Sequence, residues 1–210
     1  MGGGVRDSAL TAGLVIAGYL AGSMPFGFWT VRLLKHDDIR RHGSGNIGAS
    51  NVWRVYGWRF GVPVMLLDIL KGFVPALVGS LLVSDLAGVL AGAAAMLGHW
   101  RPLFLGFERG GKTVATAGGT LFGVAPFVGL AGAAVWILLF VVLRYASVAS
   151  ILSAASLPFL AWALGYSWPV IAFGAGAAAA VVLLHRANMR RLLAGTENRF
   201  ELRRRAEAAR

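Results

Sequence analysis

Residues 145–184 run 40 positions without a charged side chain, and 113–143 and 8–31 are further uncharged runs of 31 and 24 residues. A helix needs about 20 residues to cross the hydrocarbon core of a bilayer. In a chain of 210 residues that is 57% hydrophobic, with a mean hydropathy of +0.69, one soluble core cannot hide that much apolar surface. The sequence therefore predicts an all-α, polytopic integral membrane protein, one transmembrane domain over 1–210. Three polar segments interrupt it, at 35–59, 98–113 and 185–210. The first apolar run leads into polar sequence rather than a small-residue cleavage site, so it reads as a retained span and not a signal peptide. The chain has no cysteine, which removes disulfides and thiol nucleophiles from consideration.

Candidate spans are 8–31, 60–84, 86–97, 114–124, 126–143, 148–164 and 169–184. Whether 113–143 is one span or two is decided by the basic residues. Of the 20 Lys and Arg, six lie in 32–59, three in 101–112, one at Arg144 and eight in 185–210. Read as one span, 113–143 divides these patches evenly across the membrane. Read as two spans broken near Pro126, it puts them all on one side. The second reading gives seven transmembrane helices with the N-terminus outside, the C-terminus cytoplasmic, and every polar segment on the cytoplasmic face. The net charge of +11 then belongs to a membrane surface, and no nucleic-acid partner is implied.

The first polar segment, His42-Gly43-Ser44-Gly45-Asn46-Ile47-Gly48-Ala49-Ser50-Asn51-Val52-Trp53-Arg54, is punctuated by glycine. Gly43 and Gly45 let backbone N–H groups turn toward an anion, with Ser44, Asn46, Asn51 and Arg54 beside them. A plain cytoplasmic turn is the competing reading. The second segment contains Gly106-x-x-x-x-Gly111-Lys112-Thr113, which matches a P-loop pattern. It lacks the strand and βαβ unit that such a loop requires, so a nucleotide triphosphatase is rejected. Gly110, Gly111, Lys112 and Thr113 nevertheless stand at a helix start, where an anion is favoured, with His99 upstream. Asp68 and Lys71, three apart within an apolar run, are expected to pair and shape the site. His185 and Asn188 share a face at the end of the last span, as a candidate base and hydrogen-bond donor. No metal-ligand spacing is present, and neither a metal nor a cofactor is expected.

These segments together resemble the bacterial acyl-phosphate:glycerol-3-phosphate acyltransferases, the PlsY family. The resemblance runs through Gly22-Ser23-Met24-Pro25-Phe26-Gly27, the Gly43–Asn51 loop, Asp68-Ile69-Leu70-Lys71-Gly72, Gly98-His99, Gly110-Gly111-Lys112-Thr113, His185-Arg186-Ala187-Asn188 and Gly195-Thr196-Glu197-Asn198. It implies transfer of a fatty acyl group from acyl phosphate to the 1-position hydroxyl of glycerol 3-phosphate. The products would be lysophosphatidic acid and phosphate, made at the cytoplasmic membrane by a protein functional as a monomer among membrane lipids. Carried over, Ser44, Arg54, Lys112, His185 and Asn188 are the catalytic set. Thr113 departs from the family pattern, which has glycine there.

Two other functions compete. An organic-phosphate transporter would want polar segments on both faces, whereas the outer connections carry Asp85 alone. An acyl-CoA-dependent acyltransferase would use His-x-x-x-x-Asp, which is absent.

Overall fold

The computed structural model describes residues 2–200; the Arg-rich stretch 201–210, expected as a solvated or lipid-touching face, lies outside them. The described chain forms ten α-helices: α1 Gly2–Gly22, α2 Phe26–Lys35, α3 Ala49–Tyr56, α4 Trp58–Leu82, α5 Asp85–Trp100, α6 Val114–Val124, α7 Pro126–Leu143, α8 Ala146–Ala163, α9 Trp168–Leu184 and α10 Arg186–Leu193. Seven of them, α1 and α4 to α9, correspond to the seven expected apolar runs. The short helices α2, α3 and α10 belong to the polar segments or flank them.

The structure differs from expectation in the first apolar run. The run 8–31 is not one uninterrupted helix. Pro25 brings no N–H and disfavours helix in the residue before it, so α1 ends at Gly22 and α2 starts at Phe26. Not every one of the seven apolar helices is by itself long and apolar enough to cross a membrane. Four stretches are long and apolar enough to cross a membrane, Gly4–Lys35, Trp58–Leu82, Pro126–Leu143 and Ala146–Ala163; the bent pair Trp168–Leu184 and Arg186–Leu193 makes a fifth. With 11 residues, α6 rises only about 16 Å, roughly half of a hydrocarbon core of about 30 Å.

Small residues set the helix directions, because they let backbones touch. Gly18 and Gly22 of α1 pack on Ala91 and Ala95 of α5, so these two helices run parallel. Gly92 and Gly88 of α5 meet Thr120 and Val124 of α6 in the opposite order, which makes that pair antiparallel. At Ala125 the chain doubles back, and Gly129 of α7 rests against Phe122 of α6. Between α7 and α8, Ser153 donates to the Gly132 carbonyl at 2.8 Å and Trp136 Nε1 donates to Ser150 at 3.0 Å, again antiparallel. These reversals bring residues 36–48, 101–113, 144–145 and 185–200 to one end of the bundle. An apolar core of Met96, Leu121, Leu157 and Phe173 lies beneath them.

One buried ion pair anchors the interior. Lys71 Nζ lies 2.7 Å from Asp68 Oδ1, with both side chains 3% exposed, and also donates to the Met24 carbonyl at 3.0 Å. That carbonyl sits at the α1–α2 break, so the lysine caps the interruption. Replacing Lys71→Met leaves Asp68 charged and uncompensated, which costs about 3–5 kcal/mol. A thermal melt in detergent is expected to show a clear fall in Tm, recovered in large part by the double change Asp68→Asn with Lys71→Met.

Candidate active site

The first polar segment is held in shape by Asn51. Its Oδ1 accepts from Ser44 N at 2.9 Å, and its Nδ2 donates to the His42 and Asn46 carbonyls at 3.0 and 2.9 Å. The side chain is buried, and its carboxamide is consumed by the loop. Gly43, at φ +58, is required twice over: its backbone is left-handed, and a Cβ there would stand 2.3 Å from Asn51 Oδ1. Gly45, at φ +70, completes the turn. Asn46 accepts from Gly48 N at 2.8 Å and donates to the Gly110 carbonyl at 3.2 Å, tying the first polar segment to the second. Asn46 and Asn51, expected to meet a phosphate, brace the loop in this way and also line the cavity. Ser44 and Arg54 line the cavity.

The second polar segment also departs from expectation. Gly110 N donates to the Trp100 carbonyl and Gly111 N to the His99 carbonyl, both at 2.9 Å, so these amides close the C-terminus of α5 rather than face an anion. The glycines are needed for close approach. A Cβ on Gly110 would fall 2.1 Å from the His99 carbonyl oxygen, and one on Gly111 would fall 1.9 Å from the His99 ring. His99 is buried, with Nδ1 3.6 Å from Asp68 Oδ1. It supports Gly111 from beneath and so positions Lys112. Thr113 holds the N-cap position of α6 at φ +64, a left-handed conformation costly for a β-branched residue and one that glycine adopts freely.

The third segment supplies His185 and Asn188, and brings a residue that sequence reasoning left without a role, Glu197. Its Oε1 accepts from Asn188 Nδ2 at 2.6 Å and Ser147 Oγ at 2.8 Å, and its Oε2 accepts from Arg191 Nε at 2.8 Å. Asn188 Oδ1 in turn accepts from Lys112 Nζ at 2.5 Å. The sequence held a signal, since no Asp or Glu stands between Glu108 and Glu197. An isolated acid among arginines has a pairing task. Phe200, also unforeseen, lies under the Arg54 guanidinium at 4.6 Å and edge-on to Trp53 and Phe140, while its N–H donates to the Arg144 carbonyl at 2.8 Å. The segment after α10 thus folds back over the site.

Ser44, Arg54, Lys112, His185 and Asn188 all line one cavity of about 620 Å³. Its mouth is cationic, with Arg54, Lys112 and Arg191 set against Glu197. Burial pushes Lys112 down to about 8, the Glu197 charge opposing and the nearby arginines reinforcing that shift. Burial also lowers Arg54, whose Nε has no hydrogen-bond partner among the described residues. For Glu197 burial pushes upward, but hydrogen bonds from Asn188, Ser147 and Arg191 outweigh it and keep the carboxylate ionised. Burial pushes His185 down to about 4. Its Nδ1 is 2.8 Å from the Val181 carbonyl, which can only accept, so the neutral ring carries its hydrogen there and Nε2 is left as an acceptor. Beyond this mouth the cavity becomes an apolar cleft between α4, α6, α7 and α8, lined by Ile69, Gly118, Phe122, Ile137 and Leu157.

Fold and cavity together define a helical membrane protein whose binding site has an anion-attracting mouth and an apolar interior. Comparison with known proteins narrows this. The family model described as glycerol-3-phosphate acyltransferase matches residues 12–195. A glycerol-3-phosphate acyltransferase of Roseiflexus sp. (strain RS-1) is 48% identical over 90% of this chain and 94% of its own length. That of Aquifex aeolicus (strain VF5) is 43% identical over 89% and 97%. Among solved structures, PlsY (YgiH), an integral membrane glycerol 3-phosphate acyltransferase, superposes in its glycerol 3-phosphate form with a TM-score of 0.86 at 42% identity, covering 91% of this chain and 96% of that one. Its lysophosphatidic acid form gives 0.84 at 41% identity. The chain belongs to the glycerol-3-phosphate acyltransferase family and is an integral membrane protein.

Because Lys112 titrates near pH 8, its charge, and with it anion affinity, is present below that pH and lost above it. A bound dianion raises the lysine's pKa, so the decline in the complex begins somewhat higher. Titration calorimetry with glycerol 3-phosphate between pH 7 and 9.5 is expected to show affinity falling at the alkaline end. In Lys112→Arg, where the cation does not titrate in this range, that slope disappears.

Proposed function

We propose that the protein transfers a fatty acyl group from acyl phosphate to the 1-position hydroxyl of glycerol 3-phosphate. The hydroxyl oxygen attacks the acyl carbonyl carbon, the bond from that carbon to the phosphate oxygen breaks, and lysophosphatidic acid and inorganic phosphate result. This reaction would supply the first intermediate of membrane phospholipid synthesis. The observation that carries the reading is the continuity of the cavity: a cationic mouth fit for phosphate opens directly into a cleft fit for an acyl chain.

An acyl phosphate already has a good leaving group, so no covalent enzyme intermediate is needed and the work is positioning and charge stabilisation. Lys112 and Arg54 hold phosphate, Lys112 as a point charge and Arg54 through its planar fork. Ser44 and the N-terminus of α6 donate hydrogen bonds toward the developing negative charge. The neutral Nε2 of His185 accepts a hydrogen bond from the attacking hydroxyl, orienting it and taking its proton directly or passing it to a substrate phosphate. Asn188, turned by Glu197 so that its oxygen meets Lys112, fixes the ammonium in place. Among the expected phosphate-binding residues, Gly43, Gly45, Asn46, Asn51, Gly110, Gly111, Thr113 and His99 serve as the frame. Asp68 and Lys71 shape that frame from within the bundle.

The seven apolar helices each run from one membrane face toward the other, α6 covering only part of the depth and starting from a loop sunk below the surface. The basic segments then lie on the cytoplasmic face, where both water-soluble glycerol 3-phosphate and a membrane-borne acyl donor reach the mouth. That Ser44, Arg54, Lys112, His185 and Asn188 line one cavity within a single chain supports action as a monomer.

Purified protein given palmitoyl phosphate and glycerol 3-phosphate, without coenzyme A, is expected to release phosphate and form lysophosphatidic acid in equal amounts. His185→Ala is expected to lower kcat by about a hundredfold or more. Lys112→Ala and Arg54→Ala are expected to raise KM for a phosphate substrate. Wild-type protein that turns over palmitoyl-coenzyme A but not palmitoyl phosphate would overturn the choice of donor.

A further inference from the structure

Of the three glycines in and flanking the middle of α6, two are explained by packing. A Cβ on Gly119 would fall 2.0 Å from the Ile69 carbonyl oxygen of α4, and one on Gly123 would fall 2.8 Å from Leu77 N. Gly118 differs: a Cβ there meets nothing within 4 Å, yet the residue lines the cavity. No neighbouring helix demands a glycine at that position, so what its missing side chain leaves clear is the cleft itself. Glycine is among the weakest helix formers, which makes an unpacked one inside a helix as short as α6 a feature in need of a reason.

The dimensions of the cleft supply one. Gly118 lies six residues beyond Lys112, about 9 Å along the helix direction. The lining of α7 extends from Phe140 near the mouth to Gly129, 11 residues and so about 17 Å. That depth is close to one leaflet's share of a hydrocarbon core of about 30 Å. The far end is walled by side chains seated on glycines: a Cβ on Gly129 would meet the Phe122 ring at 2.9 Å, and one on Gly132 would meet Leu157 Cδ2 at 2.7 Å. Gly118 therefore stands about midway between a phosphate-binding mouth and an end wall made by Phe122 and Leu157.

Building on the acyl-phosphate reading, we propose that this cleft measures the donor's acyl chain. Gly118 keeps the midpoint open so that chains longer than about half the cleft can pass, and Phe122 with Leu157 forms the stop that limits them. The enzyme is thereby selective for long-chain acyl phosphates, and the selectivity resides in the α6–α7–α8 cleft, apart from the residues that handle phosphate.

The test compares kcat/KM for octanoyl, palmitoyl and stearoyl phosphate in wild type, Gly118→Leu, Gly118→Ala and Leu157→Ala. Gly118→Leu is expected to lower the palmitoyl-to-octanoyl ratio by at least about tenfold, the scale on which a few methylene groups in a pocket discriminate. Gly118→Ala, which adds one methyl group to open space and so keeps the fold, is expected to shift the ratio in the same direction by less. Leu157→Ala is expected to raise the stearoyl-to-palmitoyl ratio. Unchanged ratios in all three variants, with wild-type turnover intact, would overturn the chain-measuring cleft and leave the acyl-phosphate reaction standing. Wild type inactive with every acyl phosphate would overturn both.

Discussion

The carboxylate of Glu197 is the interaction on which the site depends. It gathers Ser147 from α8 and Asn188 and Arg191 from α10, and through Asn188 reaches Lys112 ahead of α6. Without it, Arg54, Lys112 and Arg191 would face one another across a partly buried cavity with repulsion undiminished by water. With it, the cations are fixed in position while a surplus of positive charge remains. That surplus favours an anion at the mouth, where the cations are already held in place.

A second network does for the bilayer interior what Glu197 does for the mouth. Lys71, Asp68 and His99 form a line from the carbonyl exposed at the α1–α2 break to the backbone beneath Lys112. In a medium without water polar groups need partners; Lys71 finds them in Asp68 of its own helix and in the Met24 carbonyl at the α1–α2 break, while His99 of α5 approaches Asp68 at 3.6 Å. The interruption in the first apolar run and the shape of the loop that carries Lys112 are thus two ends of one buried arrangement.

Much of this was legible in the sequence because it follows from composition and spacing. Uncharged runs marked the helices, clustered arginines marked the face where the polar segments meet, and Gly43, Gly45, Ser44, Arg54, Lys112 and His185 were identifiable as residue types suited to phosphate. What remained hidden was the direction in which each group points. Asn46 and Asn51 have the chemistry of ligands, but the loop's own N–H and carbonyl groups are nearer and claim them. Gly110 and Gly111 look like amide donors for an anion, yet the open carbonyls at the end of α5 accept those hydrogens first. Glu197 and Phe200 could be assigned no task from sequence, because their partners are Asn188 and Arg54, and only the fold-back after α10 brings them near. Thr113 is the reverse case: a departure from the family pattern became meaningful once its backbone angle was known.

The strap formed by residues 195–200 has a consequence for how the protein is made. Ser44 and Arg54 are made early in synthesis, Lys112 midway, and His185, Asn188, Glu197 and Phe200 late. Synthesis proceeds from the N-terminus, so a chain that stops short of residue 195 has Arg54, Lys112 and Arg191 without the Glu197 carboxylate and no finished binding site. The site is therefore completed last, by a local folding event at the basic end of the bundle in which residues 195–200 close over it.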